Sequence, residues 1–450
     1  MDPVRTSHQK TFLRYTLSIG LGGLLLFALT GCLPQPAPPN PAGDAELTQL
    51  SSDAWSYDAA HQSEFPYGTM IYFNFRDDVH DITGVVAYGV YHSDNPLFAG
   101  ETNYYSTFAA FIPDPAVTDS MRLWAPNDPI SGIPPYSTTF NEGPGNHEYV
   151  SPSGYIDVLD APAVPPGSNL ANTYHIVGSI TENGKTLTWD LTFERVEIPG
   201  WFPWERWPLP NAVGLFPNSW IDYFVHMPVG KVNGTFTVDD GVGEPDLYDI
   251  VNAKGYHDGF HGEFLFTEIE WDWVDYKQWT EDPLPTGHEP DLDIWVMLIN
   301  QPGPYYVCEE GWDPCNPGNL RVSHNDITYN FYREEIEVQR FNWEPDLDFG
   351  GQYPTEEIIT GENEDNYICI HWTMLPGRVE KSRWDLPDPL QDNVTYEFVS
   401  DVEGTLFSKN PGGDCSSCEA DCTAPCPTCG TPIKSFGGIG WTDYVGPPFL

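Results

Sequence analysis

The residues Gly255-Tyr256-His257-Asp258-Gly259-Phe260-His261-Gly262 bring an acid, two imidazoles and a phenol together with three glycines. Glycine at that density predicts a tight bend, and a bend can aim side chains into a cavity rather than along a sheet. His257 and Asp258 would then form an acid/base pair, which neighbours on a straight strand cannot do because they point to opposite faces. The alternative is structural: both side chains satisfy backbone groups of the turn.

A second candidate lies just downstream. If 263–273 is a strand, Glu268, Glu270 and Asp272 share one face, with Leu265, Ile269, Trp271 and Trp273 opposite. Carboxylates at steps of ~7 Å suit glycoside hydrolysis or a hard cation. The order Glu270-x-Asp272-x-x-Asp275 approximates the Glu-x-Asp-x-x-Glu of some jelly-roll glycosidases, with Asp in the last place. In a chain with 66 acids, a solvated acidic face accounts for the same row. His226, His261 and His371 form no His-x-His or His-x-x-His pair, so neither a metal centre nor any cofactor is predicted.

Nine cysteines remain to be placed. Cys308 and Cys315 flank a Gly/Pro turn that suits a small disulfide loop. Cys415, Cys418, Cys422, Cys426 and Cys429 include two Cys-x-x-Cys pairs, a spacing that can hold zinc. They sit in Gly/Ser/Pro/Thr-rich sequence with no histidine, and outside the cytoplasm disulfides are favoured over metal, with Cys369 available as a further partner.

A signal for export stands at the N-terminus. Arg5, Lys10 and Arg14 precede an apolar run from Tyr15 to about Leu29 that is too short for an ordinary membrane span. It closes on Leu29-Thr30-Gly31-Cys32, which resembles a bacterial lipobox whose cysteine becomes the lipidated first residue. Residues 1–31 are thus read as a lipoprotein signal peptide, Cys32 as the lipidation site, and the Pro-rich 32–50 as a stiff tether. The expected location is the bacterial cell envelope, outside the cytoplasm and joined to a membrane through that anchor.

Composition fixes the class of scaffold that must position these residues. Nineteen Lys and Arg against 66 Asp and Glu give a net charge of −47, a field that repels phosphate backbones and excludes nucleic-acid binding. Sixteen Trp, 24 Tyr and 24 Phe exclude acidic disorder, and 44 Pro with 41 Gly argue against long helical bundles. Strands are predicted over 70–75, 84–91, 104–112, 185–193, 231–238, 263–273, 293–299, 327–332, 335–341, 367–373, 395–399 and 404–407. Asn183-Gly184 marks a hairpin turn, and 198–218, dense in Pro and Trp, reads as an irregular connection. Many antiparallel strands with short turns predict an all-β protein of barrels or sandwiches.

The order of several motifs then resembles one family. Trp220-x-x-Tyr223-Phe224 and Met227-Pro228-x-Gly230-x-Val232-x-Gly234-Thr235 lead into Gly255-Tyr256-His257-Asp258 and on to Trp271-Asp272-Trp273. Glu403-Gly404-Thr405 and Gly438-Ile439-Gly440-Trp441-Thr442-Asp443-Tyr444-Val445-Gly446 close the pattern. This resembles the two-domain lipocalin-like family of carotenoid 1,2-hydratases, AttH-type secreted proteins, fungal Diels–Alderases and tocopherol cyclases. The match runs in patches from about Trp220 onward. The family's early Glu-Trp-Trp-Tyr strand is replaced by Tyr67-Gly68-Thr69-Met70-Ile71-Tyr72-Phe73, and the Cys-rich 411–430 is foreign to the pattern.

The resemblance implies two tandem lipocalin-like antiparallel barrel or sandwich domains, 51–262 and 263–450, with a pocket at or between them. It implies cofactor-independent hydration or cyclisation of a hydrophobic polyene or isoprenoid. Asp258 would be the acid, with His257 or His261 orienting it or handling the proton of water. Tyr256, Trp271, Trp273, Trp220 and Tyr223 would bind substrate, the rings stabilising a developing cation. A non-catalytic carrier or sensor of a lipophilic ligand, and a surface protein that binds or hydrolyses glycans through the acidic row, are the other two functions this sequence accommodates.

Overall fold

Alternation along the chain builds nearly everything. Leu187, Trp189, Leu191 and Phe193 are buried while Thr188 and Asp190 between them are exposed, the mark of a strand with one face on a core. The hairpin before it turns on Asn183 and Gly184, both at positive φ (53° and 81°), as an Asn-Gly turn between right-twisted strands requires.

The computed structural model describes residues 67–93, 102–116, 118–125, 128–130, 147–159, 173–196, 204–208, 220–263, 270–279, 291–300, 318–325, 327–383 and 394–446. The signal peptide, the tether, Cys32, Cys308, Cys315 and Glu268 therefore lie outside the described residues.

Twelve strands form the first antiparallel sheet: β1 Tyr67–Asp77, β2 Ile82–Ser93, β3 Thr102–Ile112, β4 Met121–Trp124, β5 Asp128–Ile130, β6 His147–Ser151, β7 Gly154–Val158, β8 Thr173–Glu182, β9 Lys185–Arg195, β10 Trp204–Pro208, β11 Trp220–Asp239 and β12 Asp246–Glu263. Ten follow the order β4-β3-β2-β1-β12-β11-β9-β8-β7-β6, β5 pairs with β3 and β10 with β11, and the sheet curls until β4 lies against β8 and β9. The interior is filled by rings, among them Phe73, Tyr174, Trp189 and Phe236. Trp189 Nε1 donates to the Tyr88 hydroxyl at 2.7 Å, so its one polar atom is satisfied.

The second half comprises β13 Glu270–Gln278, β14 Leu292–Asn300, β15 Gly318–His324, β16 Ile327–Tyr332, β17 Ile336–Phe341, β18 Glu344–Pro345, β19 Gln352–Tyr353, β20 Glu356–Glu362, β21 Asn366–Arg383, β22 Val394–Lys409 and β23 Gly430–Gly446. Nine of these make a sheet in the order β16-β15-β14-β13-β23-β22-β21-β20-β17, with β18 and β19 paired apart. Trp372, Phe398, Tyr396 and a set of aliphatic side chains fill its concave side. Helix is confined, among the described residues, to single 3₁₀ turns at Arg333–Glu335 and Cys418–Ala420. The protein is thus all-β, with two antiparallel sheets in tandem, each curled toward a barrel.

A third apolar cluster lies between the two halves. Met70, Tyr72, Phe108, Tyr223, Tyr256 and Phe260 come from the outer face of the first sheet, and Trp271, Trp273, Trp295, Met297 and Trp441 from the second. β13 is consequently buried on both faces: Val274 and Tyr276 point into the second barrel, Trp271 and Trp273 toward the first.

Four expectations need correction. The predicted 395–399 and 404–407 are one strand, β22, and the irregular 198–218 contains β10. The predicted strand 263–273 is the end of β12 and the start of β13. Nor do the glycines of 255–262 make a bend: that stretch pairs with β1 in unbroken register, from Phe75 opposite Gly255 to Gly68 opposite Gly262. Gly255 is small for a packing reason, since a Cβ there would meet Val232 Cγ2 at 2.4 Å.

The Cys-rich excursion between β22 and β23 folds over the outside of the second sheet. Cys415 pairs with Cys429, Cys418 with Cys426, and Cys422 reaches Cys369 on β21, with Cα separations of 4.3, 5.6 and 5.1 Å. The pairs pack on Tyr367 and Phe407, giving a short Gly/Pro-rich segment a core it could not otherwise assemble. Cys415, Cys418 and Cys429 have sulfurs within 4.8 Å of one another, and each is joined in a disulfide.

Candidate active site

The cluster between the halves borders an open-mouthed cavity with about 530 Å³ of space, the solvent at its mouth included. Met70, Tyr72, Phe108, Trp271, Trp273 and Met297 supply most of its apolar wall. Into it project three carboxylic acids, Asp258, Glu397 and Asp443.

Asp258 stands on β12 directly opposite Tyr72 of β1. It is 5 % exposed, and its partners are neutral. The Tyr223 hydroxyl donates a short hydrogen bond to Oδ2, and the Tyr256 hydroxyl donates to the same oxygen at 2.7 Å. Trp295 Nε1 in turn donates to the Tyr256 hydroxyl at 2.9 Å, so a residue of the second sheet braces the acid of the first. Burial disfavours the carboxylate more than the two hydroxyls favour it, and the pKa rises to about 7. With both hydroxyls on Oδ2, Oδ1 is the oxygen that can present a proton to the cavity.

Glu397 and Asp443 form the opposing wall. They face each other directly across β22 and β23, where like charges are unfavourable, so at least one keeps its proton. Burial lifts Glu397 to about 7 and Asp443 well above the ordinary range. Arg122 Nη1 reaches Glu397 Oε2 at 3.1 Å while its guanidinium stacks on Phe108, 4.1 Å from the ring centre. Trp271 Nε1 donates to Asp443 Oδ2 at 3.2 Å.

The other sequence candidates fall as follows. Trp271, Trp273 and Tyr223 line the cavity, and Tyr223 also holds Asp258. Tyr256 is behind the acid rather than on the wall: it is fully buried and joins Asp258 to Trp295. His257 does not meet Asp258. Its ring stacks on Phe73 at 3.9 Å inside the first barrel, and Nδ1 lies 3.0 Å from the Tyr72 carbonyl. The straight strand explains this, because neighbouring side chains on it leave by opposite faces. The backbone of His261 sits between Thr69 and Asp222, and that of Trp220 pairs with Glu263 and Pro208; their side chains are outside the described residues.

Sequence reasoning missed Asp443, Glu397, Trp295, Arg122 and Tyr72. Asp443 had a signal: it occupies the acid position of the closing Gly-x-Gly-Trp-x-Asp motif. The other four are single residues on unremarkable strands, and only the pairing of the two sheets brings them together.

The acidic row behaves differently from the groove it suggests. Asp272 is 1 % exposed and faces the second barrel's interior, where Arg340 Nε donates to its Oδ1 at 3.0 Å. Arg340 also contacts Glu270 at 3.1 Å and Glu357 at 3.3 Å, and Trp372 Nε1 donates to Glu357 at 3.0 Å. This is an internal ion cluster spanning the barrel from β17 to β13.

No family model matches the chain, and no curated protein sequence does. Among solved structures it is similar to an AttH-type protein from Nitrosomonas europaea at 12% identity, covering 85% of this chain and 93% of that one, with a TM-score of 0.48. Kievitone hydratase from Nectria haematococca is similar at 11% identity, with 84% and 88% covered and a TM-score of 0.49. CghA with Sch210972 matches at 12% identity over 84% and 88%, with a TM-score of 0.48. The AttH-type protein carries the name of one branch of the family that the motif order resembles.

Proposed function

We propose that the cavity between the sheets binds a hydrophobic, unsaturated small molecule of the polyene or isoprenoid class and that Asp258 protonates it. The single observation that carries this reading is a carboxyl with a pKa near 7, in an apolar ring-lined cavity, held by neutral hydroxyls rather than by a cation. A salt-bridged carboxylate would be locked ionised, whereas this one can hold a proton at neutral pH and release it to a weakly basic alkene carbon.

The step balances simply. The Asp258 proton bonds to one alkene carbon, leaving a cation at the other, and the faces of Trp271, Trp273 and Tyr72 stabilise it by about 0.5–2 kcal/mol per ring. Water then adds through oxygen and gives its proton to the ionised member of the Glu397–Asp443 pair, which yields the alcohol. Attack by a second double bond instead closes a ring and moves the cation to the far carbon of that bond, and loss of an adjacent proton to the Asp258 carboxylate then gives the cyclised isomer and restores the acid. In the full protein we place this chemistry in the bacterial envelope, with residues 1–31 removed and Cys32 carrying the lipid anchor.

The test is incubation of the purified protein with geranylgeraniol in ¹⁸O-water, followed by mass spectrometry. The expected product is heavier by one labelled water, or is a cyclised isomer. Its rate should drop about 10²–10⁴-fold in Asp258→Asn, the range for loss of a general acid. Unchanged turnover in that variant removes Asp258 from the mechanism, and tight retention without conversion favours a carrier.

A further inference from the structure

A second cavity, of about 340 Å³ counted to its mouth, lies further along the same strands. Successive levels on β1 and β12 are Tyr72 with Asp258, Asn74 with Tyr256, and Arg76 with Lys254; Thr83 of β2 stands beside Arg76. The first level belongs to the apolar cavity. Asn74, Arg76, Thr83 and Lys254 line the second, together with Asp275 and Lys277 of β13 and with Phe75, Ile439 and Trp441, so cationic and amide groups join the rings within two strand steps.

The unused donors are what mark this place. Arg76 Nη1, Thr83 Oγ1 and Asn74 Nδ2 are all buried, and none has a hydrogen-bond partner of normal geometry among the described residues. Asn74 also interacts with the Tyr72 hydroxyl, so Arg76 Nη1 and Thr83 Oγ1 weigh more here than Asn74 Nδ2 does. Buried donors are almost always satisfied, and three orphans around one space share a single remedy: an acceptor in that space. The neighbouring charges already have partners. Arg76 is bonded to Asp78 and Asp81 through its other nitrogens, Lys254 reaches Asp78 at 2.7 Å, and Lys277 holds Asp275. Three of the chain's nineteen cationic side chains nonetheless line this one cavity, in a molecule of charge −47.

We infer that this second cavity is a head-group subsite that receives a carboxylate at one end of the molecule bound in the apolar cavity. The inference rests on the reading that the apolar cavity holds a ligand. A guanidinium, an amide and a hydroxyl stand together in its lining, the donor set that an oxyanion satisfies best. Two strand steps put the head group ~13 Å from the Asp258 level, so the substrate class narrows to an extended unsaturated acid, not a pure hydrocarbon.

Quenching of tryptophan fluorescence tests this, using all-trans-retinoic acid and all-trans-retinol as probes of one skeleton and two head groups. The acid should bind at least about tenfold tighter, as a charge-assisted set requires. That preference should shrink about three- to tenfold in Thr83→Val, which removes one neutral hydrogen bond and no ion pair. In Arg76→Gln it should vanish. Arg76 also bridges Asp78 and Asp81, so Thr83→Val keeps the test alive should Arg76→Gln fold poorly. Equal binding of acid and alcohol, or a preference unchanged in both variants, overturns the subsite and leaves the apolar cavity standing. Binding of neither probe overturns both.

Discussion

Two groups of buried acids sit on opposite faces of the sheet elements that join the halves, and their partners differ. Asp258 is met by hydroxyls and faces empty space, whereas Asp272, Glu270 and Glu357 surround the Arg340 guanidinium inside a filled barrel. Burial pushes the carboxyls up in both places: Asp258 to about 7, Glu270 to about 7 and Glu357 well above its usual range. A displaced pKa therefore does not by itself mark chemistry. Room for a second molecule and the absence of a neutralising cation do.

The largest expected difference follows from removing one partner in each group. Arg340→Met leaves three carboxyls around an apolar side chain and should cost about 3–5 kcal/mol in urea unfolding. Asp258→Asn retains the hydrogen-bonding shape and removes a charge that burial already opposes, so its cost at pH 8 should stay below about 1 kcal/mol. If the two variants lose equal stability, the contrast between an ion cluster and a poised acid fails.

pH sharpens the same contrast. Asp258, Glu397 and Asp293 have native values near 7, above the unfolded value, so the native state binds more protons between about pH 4 and 7. Stability must then fall as pH rises through that window, by up to about 4 kcal/mol for a three-unit shift. Asp81 is the opposite case: hydrogen bonds from Arg378 and Arg76 hold it at about 2, a contribution present above pH 4 and lost on acidification toward 2. Thermal unfolding across pH 3–9 should show greatest stability near pH 4–5, with a shallower decline above it in Asp258→Asn. A maximum at pH 8 contradicts the assignment.

Much of the scaffold was legible because alternation, Asn183-Gly184 and the Pro/Gly punctuation act locally. The long strands were harder. Pro228 in β11 and Pro376-Gly377 in β21 fall outside the predicted strands 231–238 and 367–373, yet both lie where the register shifts, so the strands continue past them. The site divides the same way. Asp258, Tyr223, Trp271 and Trp273 stand out by type and spacing, but glycine density at 255–262 suggested a bend where the glycines serve packing, and this wrongly coupled His257 to Asp258. Glu397, Trp295 and Arg122 join the site only through long-range pairings such as Arg122 with Glu397, 275 residues apart, which no local pattern encodes.

The most direct measurement is the titration of Asp258 itself, read as the ¹³C carboxyl signal that disappears from an aspartate-labelled sample in Asp258→Asn. A midpoint near pH 7, moving higher when Tyr223→Phe withdraws one of the two hydroxyls that favour the carboxylate, is the predicted result. A midpoint near 4 in the wild-type protein means the cavity acid is solvated and ionised at neutral pH, and contradicts the account.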